Sequence, residues 1–332
     1  MNSIPRETRI EAPARLHLGF LDPSASRGRR FGSVGLAIDG LSTIVNAVPY
    51  VATEVQGPMQ ARAAEHLALV YTHYALDTPL RMTVERAIPA HAGLGSGTQL
   101  ALAVGAVALV AHRRACNAPE LAALLGRARR SGIGTSLFEQ GGLVVDGGHG
   151  AGTTSPPVIA RLAFPDAWRV ILVCDRAAEG LSGRAESAAF GALAPMPEAL
   201  AARLCHTTLL GLLPAVAEQD FAAFGAALSE LQRVAGDYFA AAQNGRYTSP
   251  RVGELLGWAE AHCGVSGVGQ SSWGPTGFAF VESESRAADV AARLRARVGA
   301  AQGLEILVCA ARNHGARLSV DDESVPARAT QA

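Results

Sequence analysis

Residues Gly93-Leu-Gly-Ser-Gly-Thr98 bring three glycines and two hydroxyl side chains into six positions. A strand-like run, Leu80 to Ile88, precedes them, and an Ala/Leu/Val-rich helix, Gln99 to about His112, follows. A glycine-rich turn between a strand and a helix N-terminus suits phosphate. Glycine lets the backbone come close to a ligand and tolerates positive φ. The unpaired N–H groups of the first helical turn then face the anion, with the helix dipole behind them. Without a ligand the same string would be a helix capped by Ser96 or Thr98. The strand–turn–helix context favours phosphate, so Gly93, Leu94, Gly95, Ser96, Gly97 and Thr98 are the expected phosphate-binding residues.

All 29 basic residues are arginine. A Walker A loop needs a lysine where Thr98 stands. Schiff-base chemistry on this chain's own side chains, internal pyridoxal phosphate included, is excluded. Anions must therefore be held by arginine forks and backbone N–H groups. Arg15 and His17 stand two apart at the end of a strand, and Asp22 follows in a loop, where binding residues tend to sit. These three are the expected catalytic group, with Asp22 able to hold a divalent cation or ribose hydroxyls. Arg127, Arg129 and Arg130 read as the solvated end of a helix, complementing its dipole.

The elements that must position these residues alternate in type. Arg9 to Leu18 reads as a strand leading into a loop, Asp22 to Gly32. Ser33 to Ile38 and Ser42 to Val48 read as strands joined by a hairpin at Asp39-Gly40. Helices are expected over Met59 to Leu76 and Pro119 to Arg130, and a strand over Gly141 to Gly148. The stretch Gly147 to Pro157, rich in Gly, Thr, Ser and Pro, sets a domain boundary at 155/156. The second half restarts with a strand, Trp168 to Cys174, and a loop and helix start, Asp175 to Ser187. Pro197 to Gln243 is mostly helical and broken near Pro214. A helix at Ser249 to His262 and a glycine-rich loop, Gly264 to Gly277, come next. Strand, helix and strand end it at Gly277 to Glu282, Ser285 to Val298 and Leu304 to Ala310. The tail from Asp321 is expected to fray. The pattern is α+β.

Composition narrows the function. The 332 residues suit two domains, and 49% apolar content gives ample core. A net charge of zero offers no electrostatic case for nucleic acid or an anionic membrane. Five cysteines far apart, with no Cys-x-x-Cys, read as reduced thiols of a cytoplasmic protein. The polar N-terminus is not a signal peptide, and Leu100 to Ala111 is too short to span a bilayer.

Three segments together resemble the motifs of the GHMP kinase superfamily: Ala12-Pro-Ala-Arg15, Pro89 through Gly93-Leu-Gly-Ser96, and the late loop Gly267 to Gly277. The resemblance implies a two-domain fold. The N-terminal domain, 1–155, would be ribosomal-protein-S5-like and carry the phosphate site. The C-terminal domain, 156–332, would be a ferredoxin-like α/β sandwich, with the ligand between the two. The departures matter. The kinases' Ala-Pro-Gly-Lys lysine is Arg15 here. Their Ser-Gly-x-Asp acid, which acts on the acceptor hydroxyl, is replaced in Ser131-Gly-Ile-Gly134. A chain without that acid and that lysine is a poor hydroxyl kinase.

One branch of the superfamily shares these departures, the β-ribofuranosylaminobenzene 5′-phosphate synthases of tetrahydromethanopterin biosynthesis. The chain looks like them in Arg15-Leu-His-Leu-Gly-Phe-Leu-Asp22, in Gly93 to Gln99, in Arg130-Ser-Gly-Ile-Gly-Thr135 and in Gln270-Ser-Ser-Trp-Gly-Pro275. The resemblance implies condensation of 4-aminobenzoate with phosphoribosyl pyrophosphate, releasing CO₂ and pyrophosphate. It implies Mg²⁺ or another divalent cation, no pyridoxal phosphate and no NAD. Small molecules would be the partners, with room for a homodimer. The leaving diphosphate would take the glycine turn, Arg15 and Mg²⁺. The substrate carboxylate would take Arg176 or Arg184. Ser271, Ser272, Trp273 and Gly274 complete the expected substrate-binding set, Trp273 either stacking on the ring or filling core. Two alternatives stay open: a small-molecule kinase with an altered acceptor site, and a non-catalytic sensor of a phosphorylated ligand.

Overall fold

The computed structural model describes residues 5–180, 183–298, 303–320 and 323–326, without the side chains of residues 184, 185, 187 and 323–326. Two long antiparallel strands, β1 (Thr8–Asp22) and β2 (Phe31–Pro49), form the spine of an eight-stranded sheet. The hairpin expected at Asp39-Gly40 does not form. β1 pairs with β2 on both sides of it, register stepping from Pro13↔Ser42 to Ala14↔Ile38. The extra residues bulge instead, with Gly40 at φ +84°.

The first half continues through β3 (Glu54–Gln56), α1 (Gln60–Tyr74), β4 (Leu80–Arg86), α2 (Ser96–Ala111), α3 (Ala118–Leu124), α4 (Ile133–Gln140) and β5 (Leu143–Asp146). From Leu100 to Leu109 every residue of α2 is buried. A helix apolar on all sides has no solvent face to offer, and this one packs between the sheet and α1. The helix expected over Pro119 to Arg130 ends early, at Leu124. Gly126 and Ala128 both take positive φ, so residues 125–132 become a loop.

In the second half, β6 (Val158–Leu162) precedes β7 (Arg169–Asp175), α5 (Gly183–Ala192) and α6 (Glu198–His206). A π-helical stretch, Thr207–Leu212, runs straight into α7 (Leu213–Glu218), then come α8 (Phe221–Gln243) and α9 (Pro250–Cys263). Pro214 sits in the first turn of α7 and does not break the helical path; the break comes at Gln219, in left-handed conformation. By length and composition Glu198–Glu218 could cross a membrane, yet its Ala201, Leu204, Leu212 and Val216 are buried in core.

The chain then runs through β8 (Ser266–Gln270), β9 (Thr276–Val281), α10 (Glu284–Val298), β10 (Leu304–Ala310), β11 (Arg317–Val320) and β12 (Glu323–Pro326). The order β10-β7-β9-β8, all antiparallel, is that of a ferredoxin-like split βαβ sheet. The halves do not separate cleanly at 155/156. β6 pairs with β5 in the first sheet, and β11 and β12 return to it beside β1. The expected fraying after Asp321 therefore does not extend to Glu323–Pro326, whose backbone pairs with β11.

Candidate active site

Arg15 and His17 lie two apart on β1, so their side chains leave the same face. A bulge between His17 and Gly19, with Gly19 at φ +139°, ends the regular pairing there. The glycine turn docks against this strand. The Arg15 N–H donates to the Leu94 carbonyl at 3.1 Å, and Arg15 Nη1 to the Gly93 carbonyl at 2.8 Å. Ser271 closes the group from the other half. Its Oγ accepts from the His17 N–H at 3.0 Å and donates to the Gly93 carbonyl at 2.7 Å.

Gly95, at φ +83°, is the N-cap of α2, and no side chain caps the helix. Neither Ser96 nor Thr98 closes its own turn, so the first N–H groups stay open to a ligand. The late loop owes its glycine to packing. A Cβ on Gly274 would lie 2.3 Å from the Ala92 carbonyl and 2.4 Å from Gly93 Cα. One on Gly180 would lie 2.4 Å from the Trp273 carbonyl. Three backbones meet where side chains cannot fit.

A cavity of about 610 Å³ opens over the turn, lined by Arg15, Arg62, Arg127, Arg129 and Arg130, with Glu186 as its one carboxylate among the described residues. Arg127 Nη1 would stand 3.4 Å from a Cβ on Gly97, and Arg62 Nη1 3.8 Å from it. Guanidinium groups thus converge on the first turn of α2. Arg127 donates to His66 Nε2 at 3.2 Å. Burial, then Arg62 and Arg129, pull the Arg127 pKa down. Burial, then Arg127 and Arg62, push His66 to about 4, leaving it a neutral acceptor. Cations crowded together with one acid imply a polyanionic ligand.

A second cavity, about 140 Å³, is lined by Phe20, Phe239 and Trp273 together with Gln243 and Tyr247 and the charged Arg233, Arg246 and Glu260. It shares His17, Phe20, Glu186, Ser272 and Trp273 with the first. Trp273 stacks on Phe190 at 4.5 Å and meets Phe239 edge-on at 5.2 Å. Burial, followed by Arg15 and Arg130, holds the His17 pKa well below its ordinary value. Burial lowers Arg15 to about 10, with Glu186 working against it, so the guanidinium is charged at neutral pH. Glu186, ion-paired with Arg130, is pushed up by burial and down by Arg130 and Arg15.

Of the expected site residues, Arg15, His17, Gly93, Gly95, Ser96, Gly97, Thr98, Ser272, Trp273 and Gly274 line the larger cavity. Leu94 and Ser271 are buried and brace the turn from behind. Asp22 lines neither cavity; its carboxylate accepts from the Ser24 and Ser26 N–H groups and the Ser26 hydroxyl. Arg176 lines neither and is paired with Glu305. The Arg184 side chain lies outside the described residues.

Arg127, Arg129 and Arg130, expected as a solvated helix end, belong to the cavity because α3 stops short of them. Arg62, His66 and Glu186 went unnoticed in the sequence, where nothing sets an arginine inside α1 apart from a surface one. Gly134, the departure from the kinases, is built into the packing. A Cβ there would meet Thr98 Cγ2 at 3.0 Å, and its carbonyl accepts from Gln99 Nε2 at 2.9 Å.

Residues 60–140 match the family described as GHMP kinases N terminal domain, and 212–300 that of GHMP kinases C terminal. A protein of Archaeoglobus fulgidus named β-ribofuranosylphenol 5′-phosphate synthase is 34% identical over 94% of this chain and 99% of its own. One of the same name from Methanothermobacter thermautotrophicus is 31% identical over 92% and 97%. Homoserine kinase from Cytophaga hutchinsonii has the same fold, with TM-score 0.68 and 14% identity over 96% of this chain and 99% of its own. The chain is an enzyme of the GHMP kinase family and belongs to the branch of the β-ribofuranosylphenol 5′-phosphate synthases.

Proposed function

We propose that this chain joins a para-substituted benzoate to the ribose of phosphoribosyl pyrophosphate, releasing CO₂ and pyrophosphate. The observation that carries the reading is the convergence of Arg15, Arg62 and Arg127 on an uncapped helix N-terminus, with Arg129 on the same cavity and Gly134 in place of a kinase acid. The cavity can hold a donor with three phosphate groups, and no carboxylate stands at position 134 to activate an acceptor hydroxyl. The relatives' name specifies a ribosylphenol, which points to 4-hydroxybenzoate ahead of 4-aminobenzoate. The product would enter tetrahydromethanopterin synthesis, and the five free thiols fit a cytoplasmic site.

The chemistry balances without a cofactor as electron sink. The para hydroxyl or amine pushes electrons onto the ring carbon that bears the carboxylate. That carbon bonds to ribose C1 as the C1–O bond breaks, its pair leaving with pyrophosphate. The C–CO₂ bond then gives its pair back to the ring. No proton leaves the ring carbon, so no base is needed there. The Ser96 and Gly97 N–H groups, with Arg62 and Arg127, take up the charge that develops on pyrophosphate.

Among the described residues no three His, Cys, Asp or Glu form a metal-binding group. A magnesium ion carried on the diphosphate would find one carboxylate on the larger cavity among the described residues, Glu186, which would have to share it with Arg130, and the ion would supply charge neutralisation.

The test is pyrophosphate release from phosphoribosyl pyrophosphate with each acid, without ATP. Release that depends on either acid is expected. ATP-dependent phosphorylation of an alcohol, without pyrophosphate release, would overturn the reading.

A further inference from the structure

We propose that the 140 Å³ cavity binds the benzoate ring and that His17 Nε2–H orients its carboxylate at the junction with the larger cavity. The inference rests on the function proposed above and adds the place, the pose and the donor. A cavity of about 150 Å³ with apolar walls takes one benzene ring. The aromatic walls here are Phe20, Phe239 and Trp273, with Trp273 braced by Phe190, and the polar remainder of the lining includes Gln232, Arg233, Arg246 and Glu260. Chemistry sets the direction. The carbon bearing the carboxylate must reach ribose C1 in the arginine-lined cavity. That end of the ring therefore faces the shared residues, and the para substituent faces Gln243 and Tyr247.

His17 is 3% exposed and stands at that junction. Its Nδ1 accepts from the Gly19 N–H at 3.3 Å, so the ring proton sits on Nε2. Nε2 is buried without a hydrogen-bond partner. An unpaired buried donor is a rare state, and a ligand acceptor resolves it. Burial and the neighbouring Arg15 and Arg130 keep the ring neutral.

A neutral donor suits a carboxylate that must depart as neutral CO₂. A full arginine pair would stabilise the ground state and lose its partner at the transition state. The guanidinium groups that act on His17 are turned to other partners, Arg15 through Nη1 to the Gly93 carbonyl and Arg130 to Glu186, while Arg233 and Arg246 line the ring cavity but not the larger one and so stand away from the junction.

The experiment is equilibrium binding of 4-hydroxybenzoate and of phenol, read by calorimetry and by tryptophan fluorescence, with the full chain. The unaltered protein is expected to favour the acid. His17→Leu should weaken acid binding by roughly 10-fold to 100-fold and leave phenol unchanged. His17→Gln, whose amide N–H can replace Nε2–H, should restore most of the loss. Ala235→Leu, which fills the cavity, should weaken both ligands. Equal acid binding by folded His17→Leu and unaltered protein would overturn the carboxylate assignment. Absence of nuclear Overhauser contacts from bound 4-hydroxybenzoate to Trp273 in the unaltered chain would overturn the ring assignment, whether or not Ala235→Leu folds. Binding is read without turnover, so failure of the proposed reaction shows separately, as absent pyrophosphate release.

Discussion

Arg127 sits at the centre of the cation cluster, held by His66 and facing the first turn of α2. Charge-assisted contacts of this kind contribute about 2 kcal/mol each. Arg127→Gln should therefore raise the phosphoribosyl pyrophosphate KM by roughly 30-fold and leave the aryl-acid KM in place; steady-state kinetics with each substrate varied gives the answer. A KM rise for the acid alone would move Arg127 out of the proposed phosphate site. Arg176 is spent on Glu305, so Arg176→Gln should change neither KM. The glycine turn and the Arg15-x-His17 pair were legible because their residue types have few structural uses. The place of Arg127, Arg129 and Arg130 on the cavity was not, because it depends on where α3 stops. Two residues in left-handed conformation decide that, and one of them, Ala128, gives no signal in its type.

Between elements, the glycine turn, the segment at Gly180 and the late loop fit together backbone against backbone. Gly274→Ala would push a methyl into Ala92 and Gly93, atoms that cannot rotate away. Overpacking costs about 1–3 kcal/mol, and the shift should also weaken phosphoribosyl pyrophosphate binding. Gly257→Ala, inside α9 with nothing near its Cβ, should instead stabilise by about 0.5–1 kcal/mol. Paired melting curves separate the two. Strand and helix positions followed from apolar periodicity, as in β4 and α1. The bulge at Asp39-Gly40 did not, since a hairpin turn and a bulge use the same residues. Only the pairing of both flanks with one long β1 distinguishes them.

At the scale of the whole molecule, the return of β11 and β12 to the first sheet ties the end of the chain to its beginning. That pairing spans some three hundred residues and leaves no local trace in sequence, which is why a boundary at 155/156 looked clean. Stability should depend on pH through the buried histidines. His66 titrates near 4 in the folded chain and near its ordinary 6.5 when unfolded. As pH falls from 6.5 toward 4, the unfolded chain takes up a proton that the folded one refuses, so stability falls across that window. His17, shifted the same way, adds to it. Melting temperatures from pH 7 to 4.5 should drop less steeply in His66→Gln; identical slopes would show that His66 does not contribute to the pH dependence. The proposed reaction of the whole molecule is decarboxylative joining of an aryl acid to ribose. Its most direct test uses carboxyl-labelled 4-hydroxybenzoate or 4-aminobenzoate with phosphoribosyl pyrophosphate and no ATP. Labelled CO₂ and pyrophosphate are expected in equal amounts; pyrophosphate formed with the label retained in the aryl product would contradict the proposed reaction.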